Sequence, residues 1–278
     1  METALAGRVT NTALEDAVRV AARAGSPDRY LAALLSPRAV RDDLIVLAAL
    51  GAEIEKIPQQ VSDPHIGEIR IQWWRDALLS PDRRVKSGHA IADAVLETLE
   101  RHELPAEWIN GHLDATVHEL YAAPPDNEEQ LALQLEMKEG ALFRLAAKIL
   151  GANHTDISGA IFSDAALAYG LARLGLSLPY DLARGRVPFP PALTADPPDW
   201  KVTILGLANK SRLHLRQVRA ACSTQPTAVK AALLPVALVE PYLRVLTRVA
   251  HDPARDIADI APLTRAWRLA KTHISGRI

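Results

Sequence analysis

The length, composition and charge of the chain exclude several classes of protein. Its 278 residues can bury a sizeable core, and the net charge of −1 gives no general argument for binding nucleic acid. The single cysteine, Cys222, excludes a disulfide framework and a thiolate metal site, and fits a reducing compartment. Charged residues interrupt Met1 to Ala24, so no secretory signal is predicted there. No apolar stretch approaches the roughly 18 residues of a spanning helix, so we expect a soluble or peripheral protein.

The first third of the chain is predicted to be helical around one central segment. Residues 1–10 are expected to be loose, and a helix should then run to about Ala24. The longest apolar run, Leu44 to Ala52, indicates a buried central helix, with Ser36-Pro37 as its N-terminal signal and Pro58 as its end. Asp63-Pro64 begins the next helix. Its apolar stripe is formed by Ile66, Ile69, Trp73 and Ala77.

The rest of the chain also favours helices, because alanine and leucine dominate it. They are predicted over Ser87 to His102, Pro105 to Pro124, Glu128 to Leu150, Ile157 to Leu178, Val202 to Cys222, Thr227 to Ala250 and Ile257 to Ile274. Six prolines in residues 179–200 predict an extended connection instead. Pro235 and Pro241 should kink or split their helix. With no internal repeat and no strong boundary, residues 1–278 are predicted to form one all-α domain.

Glu53 and Glu55, after the central apolar run, are the first candidate site. Residues two positions apart on a helix are rotated by about 200° from each other, so these carboxylates cannot face one pocket. A pair that holds Mg²⁺ on a diphosphate needs the i, i+4 spacing, and the partner of Glu55 at that spacing is Gln59, an amide. The alternative interpretation is the charged end of a buried helix.

Asp181, Arg184 and Arg186 are the second candidate, where an apolar helix gives way to the proline-rich connection. The residue four positions before Asp181 is Ser177, so this carboxylate pair is also incomplete. The two arginines could hold a phosphate or carboxylate by bidentate contacts. The alternative is that they pin a surface loop.

Several motifs together resemble the squalene/phytoene synthase family. They are Leu-Leu-Ser-Pro-x-x-x-Arg from Leu34 to Arg41, the Trp-bearing helix that follows, Glu139-Gly140-Ala141-Leu142, and Gly-Arg-Val-x-x-Pro from Gly185 to Pro190. The resemblance implies an isoprenoid-synthase-like helical bundle around a central cavity. It also implies, for active members, a Mg²⁺-dependent head-to-head condensation of two prenyl diphosphates, with the metal held by two facing Asp-x-x-x-Asp motifs.

The chain departs from this pattern at the positions that carry the chemistry. The first motif falls on Glu55 and Gln59, and the second on Ser177 and Asp181. A family arginine falls on Ala52 and a family tyrosine on Ala48, whereas Arg41 is retained. Ionising an allylic diphosphate requires metal charge on the departing pyrophosphate. No cofactor is therefore expected; Mg²⁺, with Glu55 and Asp181 as ligands, belongs only to the alternative in which the chain is an active prenyltransferase.

The incomplete motifs and the Leu-Pro-Tyr stretch resemble one branch of the family, the complex I assembly factors and their bacterial relatives. That branch implies a pseudoenzyme that assists respiratory complex I assembly or binds a prenyl or lipid ligand. Its partner would be a protein or an isoprenoid, not a nucleic acid, and its location the cytoplasm, peripheral to the inner membrane. Arg41, Glu55, Asp181, Arg184 and Arg186 would then be remnants of a diphosphate or metal site.

Two further patterns concern surfaces. Arg212, Arg216 and Arg219 form a basic stripe beside Lys210, which fits an acidic partner or an anionic membrane, or a solvated face. The last predicted helix has Ile260, Leu263, Trp267, Ala270 and Ile274 on one side. This side is expected to dock onto the domain, with membrane contact as the alternative.

Overall fold

The computed structural model describes residues 15–80, 87–121, 123–194 and 196–278. Every regular element in these residues is helical, which confirms the all-α prediction. The chain contacts divide it into two compact units, Met1–Leu120 (unit 1) and Tyr121–Ile278 (unit 2). The single-domain organisation stays a prediction, and the loose segment 1–10 lies outside the described residues.

Unit 1 is built around its third helix. Its helices are α1 (15–25), α2 (Pro27–Leu35), α3 (Arg38–Gln60), α4 (Pro64–Leu79), α5 (Ala90–Arg101) and α6 (Ala106–Leu120). Helix α3 packs against α2, α4, α5 and α6. Its apolar run is buried on every side, and Ala49, Leu50 and Ile54 have no exposed surface. The predicted central helix is confirmed.

The predicted ends of α3 are wrong at both termini. Ser36 closes α2 by donating its hydroxyl to Ala32 O at 3.2 Å, and Pro37 takes the N-cap position of α3. At the other end the helix continues through Pro58 to Gln60. Proline removes only one intrahelical bond, and here it is buried near the end of a well-packed helix, so packing compensates for that loss. The N-cap predicted at Asp63 is confirmed, since its carboxylate accepts from His65 N at 2.9 Å.

Helix α4 packs through a face rotated by about 120° from its predicted apolar stripe. Ile66, Ile69 and Trp73 are exposed. The buried residues are Gly67, Ile71, Trp74 and Leu78. Gly67 explains the choice, because a Cβ atom there would lie 2.3 Å from Leu120 Cδ2 of α6. The glycine therefore permits a close helix contact that a search for apolar side chains does not detect.

Unit 2 contains the remaining elements. They are α7 (Glu128–Leu135), a π-helical segment (Glu136–Gly140), α8 (Ala141–Ile149), α9 (His154–Ile157), α10 (Ile161–Ala183), a 3₁₀ turn (Pro191–Leu193), α11 (Trp200–Cys222), α12 (Thr227–Ala232), a 3₁₀ segment (Leu234–Leu238), α13 (Val239–Leu246) and α14 (Pro262–Ser275). Helices α10 and α11 form its most extensive contact. Within it, the buried Ser211 hydroxyl donates to Ala168 O at 2.7 Å. The predicted split of residues 227–250 is confirmed.

Several helices of unit 2 differ from the prediction. Helix α10 begins at Ile161 and not at Ile157, and α13 ends at Leu246 and not at Ala250. Helix α10 continues through Pro179 to Ala183, so the proline-rich connection begins at residue 184 and not at 179. The preceding residue, Leu178, is fully buried, which shows that packing holds this turn in helical form. The long helix predicted from Glu128 to Leu150 contains a π-helical turn at Glu136–Gly140.

The last helix packs with the opposite face from the one predicted. It begins at Pro262, and its buried residues are Arg265, Leu269 and Thr272. Leu263, Trp267 and Ile274 are exposed. Of the apolar residues predicted to dock, Ile260 is buried, but it precedes the helix. The expected docking of the apolar face is therefore wrong.

By length and composition alone, helix α10 could span a membrane. This differs from the expectation that the chain contains no stretch of this kind. However, 61% of its most apolar window is buried inside the protein. This burial is typical of a core helix.

The contact between α1 and α3 provides a test of the packing in unit 1. A Cβ atom on Gly25 would lie 2.6 Å from Ala52 Cβ, and neither atom belongs to a flexible side chain. We expect Gly25→Ala to lower the free energy of unfolding by about 1–3 kcal/mol, the usual loss on overpacking. Urea denaturation followed by circular dichroism measures this loss.

Gly111→Ala on α6 is the matched control. It lies in the same unit with nothing within 4 Å of the added atom, and it should stabilise the helix by up to about 1 kcal/mol. Equal effects of the two substitutions would contradict the close contact.

Candidate functional site

One face of α3 carries the residues that the sequence places in the first motif. Each residue of a helix is rotated by about 100° from the one before it, so Arg41, Ala48, Ala52, Glu55 and Gln59 lie on one face that is about 60° wide. The two alanines are each 1% exposed. Glu55 is half-buried and Gln59 is exposed. The face is therefore polar at its ends and closed in the middle.

Helix α1 closes the middle of this face. The Cα atom of Ala52 would lie 3.3 Å from a Cβ atom on Gly25, which brings the two backbones into direct contact. A longer side chain at position 52 has no space there. The position that the family pattern gives to an arginine is thus used here to pack two helices.

Arg41 lies at the N-terminal end of the same face. Its Nη2 donates to Ser36 O at 3.0 Å, at the junction of α2 and α3. Its Nε is buried and has no hydrogen-bond partner within the described part of the chain. Such an unsatisfied buried donor costs about 1–3 kcal/mol.

The other carboxylate of the first candidate, Glu53, has a local partner. Lys56 Nζ lies 2.5 Å from Glu53 Oε1, one turn along the helix. As the sequence predicts, Glu53 and Glu55 point to different faces of α3. Glu55 is therefore the one carboxylate that α3 contributes to the candidate face.

The end of α10 orders the second candidate. Ser177 lies one helical turn before Asp181, and its hydroxyl donates to Asp181 Oδ2 at 2.8 Å. The helix then ends in a Schellman motif. Gly185 has φ +69°, its N–H donates to Leu182 O at 3.0 Å, and the N–H of Arg186 donates to Asp181 O at 2.9 Å. Gly185 thus has a structural role, because glycine adopts this left-handed conformation at little cost.

The two arginines of this segment differ in their surroundings. Arg184 is exposed, and its Nη1 donates to Tyr180 O at 3.1 Å, one turn back on its own helix. A cation at a helix C-terminus interacts favourably with the helix dipole. Arg186 is half-buried. For Arg184, these contacts favour the interpretation that it stabilises the loop.

Unit 2 also contains a polar cluster that the sequence analysis missed. It consists of Glu136, Glu139, Arg144, Ser163 and Arg173. Glu136 Oε1 accepts from Arg144 Nη2 at 2.5 Å and from the Ser163 hydroxyl at 2.8 Å. Both glutamates lie in the π-helical segment, a distortion that is frequent at functional sites.

The second half of this polar cluster is more deeply buried. Glu139 is 6% exposed, and its Oε1 lies 3.7 Å from Arg173 Nε. The Arg173 guanidinium also lies over the Tyr169 ring, 5.7 Å from its centre. The sequence feature that could have indicated this cluster is Arg173, the one charged residue in the apolar stretch from Ala165 to Leu178.

The basic stripe and Cys222 are the other features that the sequence singled out, and both have contacts or surroundings typical of structural residues. In the basic stripe, Arg212 pairs with Glu240 at 3.3 Å and Arg219 donates to Ile278 O at 3.0 Å. Burial raises the pKa of the Cys222 thiol, which disfavours its nucleophilic thiolate form. Within residues 15–80, 87–121, 123–194 and 196–278, no group of three His, Cys, Asp or Glu side chains could hold a metal ion.

The Glu139–Arg173 pair can be tested by a double-mutant cycle. Removing the arginine alone, as in Arg173→Met, leaves a buried carboxylate without this cation and should lower the free energy of unfolding by about 3 kcal/mol. Glu139→Gln removes the charge that needs compensation. The double variant should therefore lose less than the sum of the single losses, with a coupling of about 1–3 kcal/mol by urea denaturation. Additive losses would contradict the pairing.

The helical structure has the all-α isoprenoid-synthase fold. Residues 22–268 match the squalene/phytoene synthase family, so the chain belongs to that family and the resemblance drawn from its motifs is confirmed.

Similar proteins include mammalian assembly factors. The human NADH dehydrogenase (ubiquinone) complex I assembly factor 6 is 24% identical over 238 residues, which cover 80% of this chain and 71% of that protein. The rat protein of the same name is 23% identical, with 81% and 71% covered.

Similar solved structures include two synthases. A squalene synthase from Alicyclobacillus acidocaldarius has a TM-score of 0.63 and 15% identity, with 96% of each chain covered. A dehydrosqualene synthase in complex with a ligand has a TM-score of 0.74 and 11% identity, with 95% of this chain and 98% of that chain covered. At these identities the likeness establishes the fold alone.

Proposed function

We propose that this chain is a non-catalytic member of the squalene/phytoene synthase family that assists the assembly of respiratory complex I, in the cytoplasm and peripheral to the inner membrane. The observation that carries the proposal is the donor set of the two candidate motifs. Each helix supplies one carboxylate and one neutral oxygen, Glu55 with Gln59 on α3 and Asp181 with Ser177 on α10. Mg²⁺ in such sites is bound chiefly through carboxylates and substrate phosphates.

The packing around these residues supports the same conclusion. The Asp181 carboxylate already accepts a hydrogen bond from Ser177. The closed position at Ala52 leaves no room for a cationic side chain at that position, so Arg41 is the one cation that this face of α3 retains. Loss of one such electrostatic contribution typically lowers a rate by about a hundredfold or more. The residues present do not fit the metal that the family pattern implies.

The assembly role rests on the relatives. The mammalian proteins that match most of the chain are named as complex I assembly factors. A protein partner is therefore the binding target we propose, and an isoprenoid or lipid ligand would be bound without turnover. The alternative remains a Mg²⁺-dependent prenyltransferase that uses Glu55 and Asp181. The retained Arg41, with its buried unsatisfied Nε, favours this alternative.

A rescue experiment separates the two functions. The gene is deleted in the source organism, and complex I is measured by native gel and by NADH–quinone oxidoreductase activity. The wild-type chain should restore the complex, and Glu55→Gln/Asp181→Asn should restore it equally well, because the proposed role does not need the carboxylates as ligands. The control is Gly111→Ala on α6, where an added Cβ atom has no described atom within 4 Å.

Two outcomes would contradict the proposal. An unchanged amount of complex I after deletion excludes the assembly role. Rescue that needs both carboxylates, in a variant that is folded and equally abundant, favours the metal-dependent alternative.

A second test asks whether the motifs can be rebuilt. Gln59→Asp/Ser177→Asp gives each helix a carboxylate pair at the i, i+4 spacing. Millimolar MgCl₂ should raise the Tm of this variant by a few degrees through preferential binding to the folded state, and should leave the wild-type Tm unchanged. Thermal unfolding in MgCl₂ and in NaCl of matched ionic strength measures the difference. A Mg²⁺-specific rise for the wild-type protein would show that its present donors already hold the metal.

A further inference from the structure

Helix α14 has its docked side and its apolar side on opposite faces. Its buried residues, Arg265, Leu269 and Thr272, face unit 2. The opposite face carries an apolar row that we call the outer stripe. Its members are Leu263, Trp267, Ala270 and Ile274, and the three large ones are 84%, 63% and 83% exposed. Helices of folded domains usually bury such a stripe, so this one requires an explanation.

The docked side holds the helix firmly in this orientation. Arg265 Nη2 lies 2.7 Å from Asp259 Oδ1 and 3.3 Å from the Tyr242 hydroxyl. Leu269 is completely buried beside them. Arg268 Nε donates to Ala237 O at 3.4 Å. Because polar contacts fix the inner face, the outer stripe points outward in the folded protein.

The charged side chains of α14 and of the residues that follow it all have one sign. Residues 262–278 contain Arg265, Arg268, Lys271 and Arg277 and no acidic residue. Lys271 lies beside the stripe, with its Nζ 5.1 Å from the centre of the Trp267 ring. On the helical projection Arg277, just past the end of the helix, falls near the other edge of the stripe. The nearest acid in sequence, Asp259, is paired with Arg265.

We propose that α14 binds the surface of an anionic lipid bilayer through the outer stripe. The helix has 14 residues and is about 21 Å long, so it can lie along the interface. Leu263, Trp267 and Ile274 enter the boundary between headgroups and acyl chains, where tryptophan is favoured. Lys271 and Arg277 reach lipid phosphates beside it. An exposed apolar row with Lys271 and Arg277 at its edges, in a segment (262–278) that contains no acidic residue, fits an anionic surface better than a protein surface of mixed charge.

Vesicle flotation with the full-length protein tests the proposal. The vesicles are phosphatidylcholine alone and phosphatidylcholine with phosphatidylglycerol. The wild-type protein should float with the phosphatidylglycerol vesicles, and raised salt should weaken this binding because it screens the charges. Trp267→Glu should lower the partition coefficient at least about tenfold, since it puts a charge into the apolar interface. Lys271→Glu should lower it roughly fivefold or more, since each basic residue contributes about that factor.

Leu133→Glu is the matched control. Leu133 is also exposed and lies in unit 2, on α7, so this variant also replaces an exposed apolar residue by glutamate, but outside the outer stripe. Its partition coefficient should be within twofold of that of the wild type. Circular dichroism confirms that the variants are folded. Absence of wild-type flotation with phosphatidylglycerol vesicles overturns the proposal, as does equal flotation of Trp267→Glu and wild type. Recruitment of a soluble protein to the stripe, with no lipid binding, overturns it as well. The proposal rests on the peripheral membrane location in the proposed function, so such a failure would contradict that location. The assembly role itself is measured separately by the rescue experiment.

Discussion

The direct contact between Gly25 of α1 and Ala52 of α3 determines what the central helix can present. It is a steric constraint, because a single added carbon on Gly25 would lie 2.6 Å from Ala52 Cβ. The face of α3 that carries Glu55 is therefore used over most of its length for packing. A side chain long enough to reach a bound diphosphate from position 52 would require α1 to move. The loss of a cation at this position and the stability of unit 1 have the same physical origin.

The polar groups of the second candidate motif and of the polar cluster are hydrogen-bonded or paired within the protein itself. Asp181 is bonded by Ser177, and Glu136 by Arg144 and Ser163. Each such hydrogen bond or ion pair occupies lone pairs of the carboxylate oxygens, which leaves fewer of them for a metal ion. Arg41 differs, because its Nε is buried without a partner. A single donor can orient an anionic group but does not replace a metal cluster. This pattern supports binding without turnover.

The sequence predicts most of this fold and only part of the site. Helix positions follow from apolar periodicity, which depends on nearby residues. The exceptions depend on tertiary contacts that no local pattern records. Helix α10 runs through Pro179 because the neighbouring Leu178 is buried. Helix α14 docks through Arg265 because Asp259 and Tyr242 offer it partners, and this leaves Trp267 outside. The π-helical turn that gathers Glu136 and Glu139 has no sequence signature, so the polar cluster was missed.

The turnover of prenyl diphosphates is the most direct measure of the central claim, that the two motifs hold too little negative charge for metal-dependent ionisation. The wild-type protein is incubated with farnesyl or geranylgeranyl diphosphate and Mg²⁺, beside an active dehydrosqualene synthase. Pyrophosphate release and extracted hydrocarbon are both followed. We expect release at the rate of the protein-free blank and no head-to-head product. Steady release above the blank, together with a condensed product, would contradict the account.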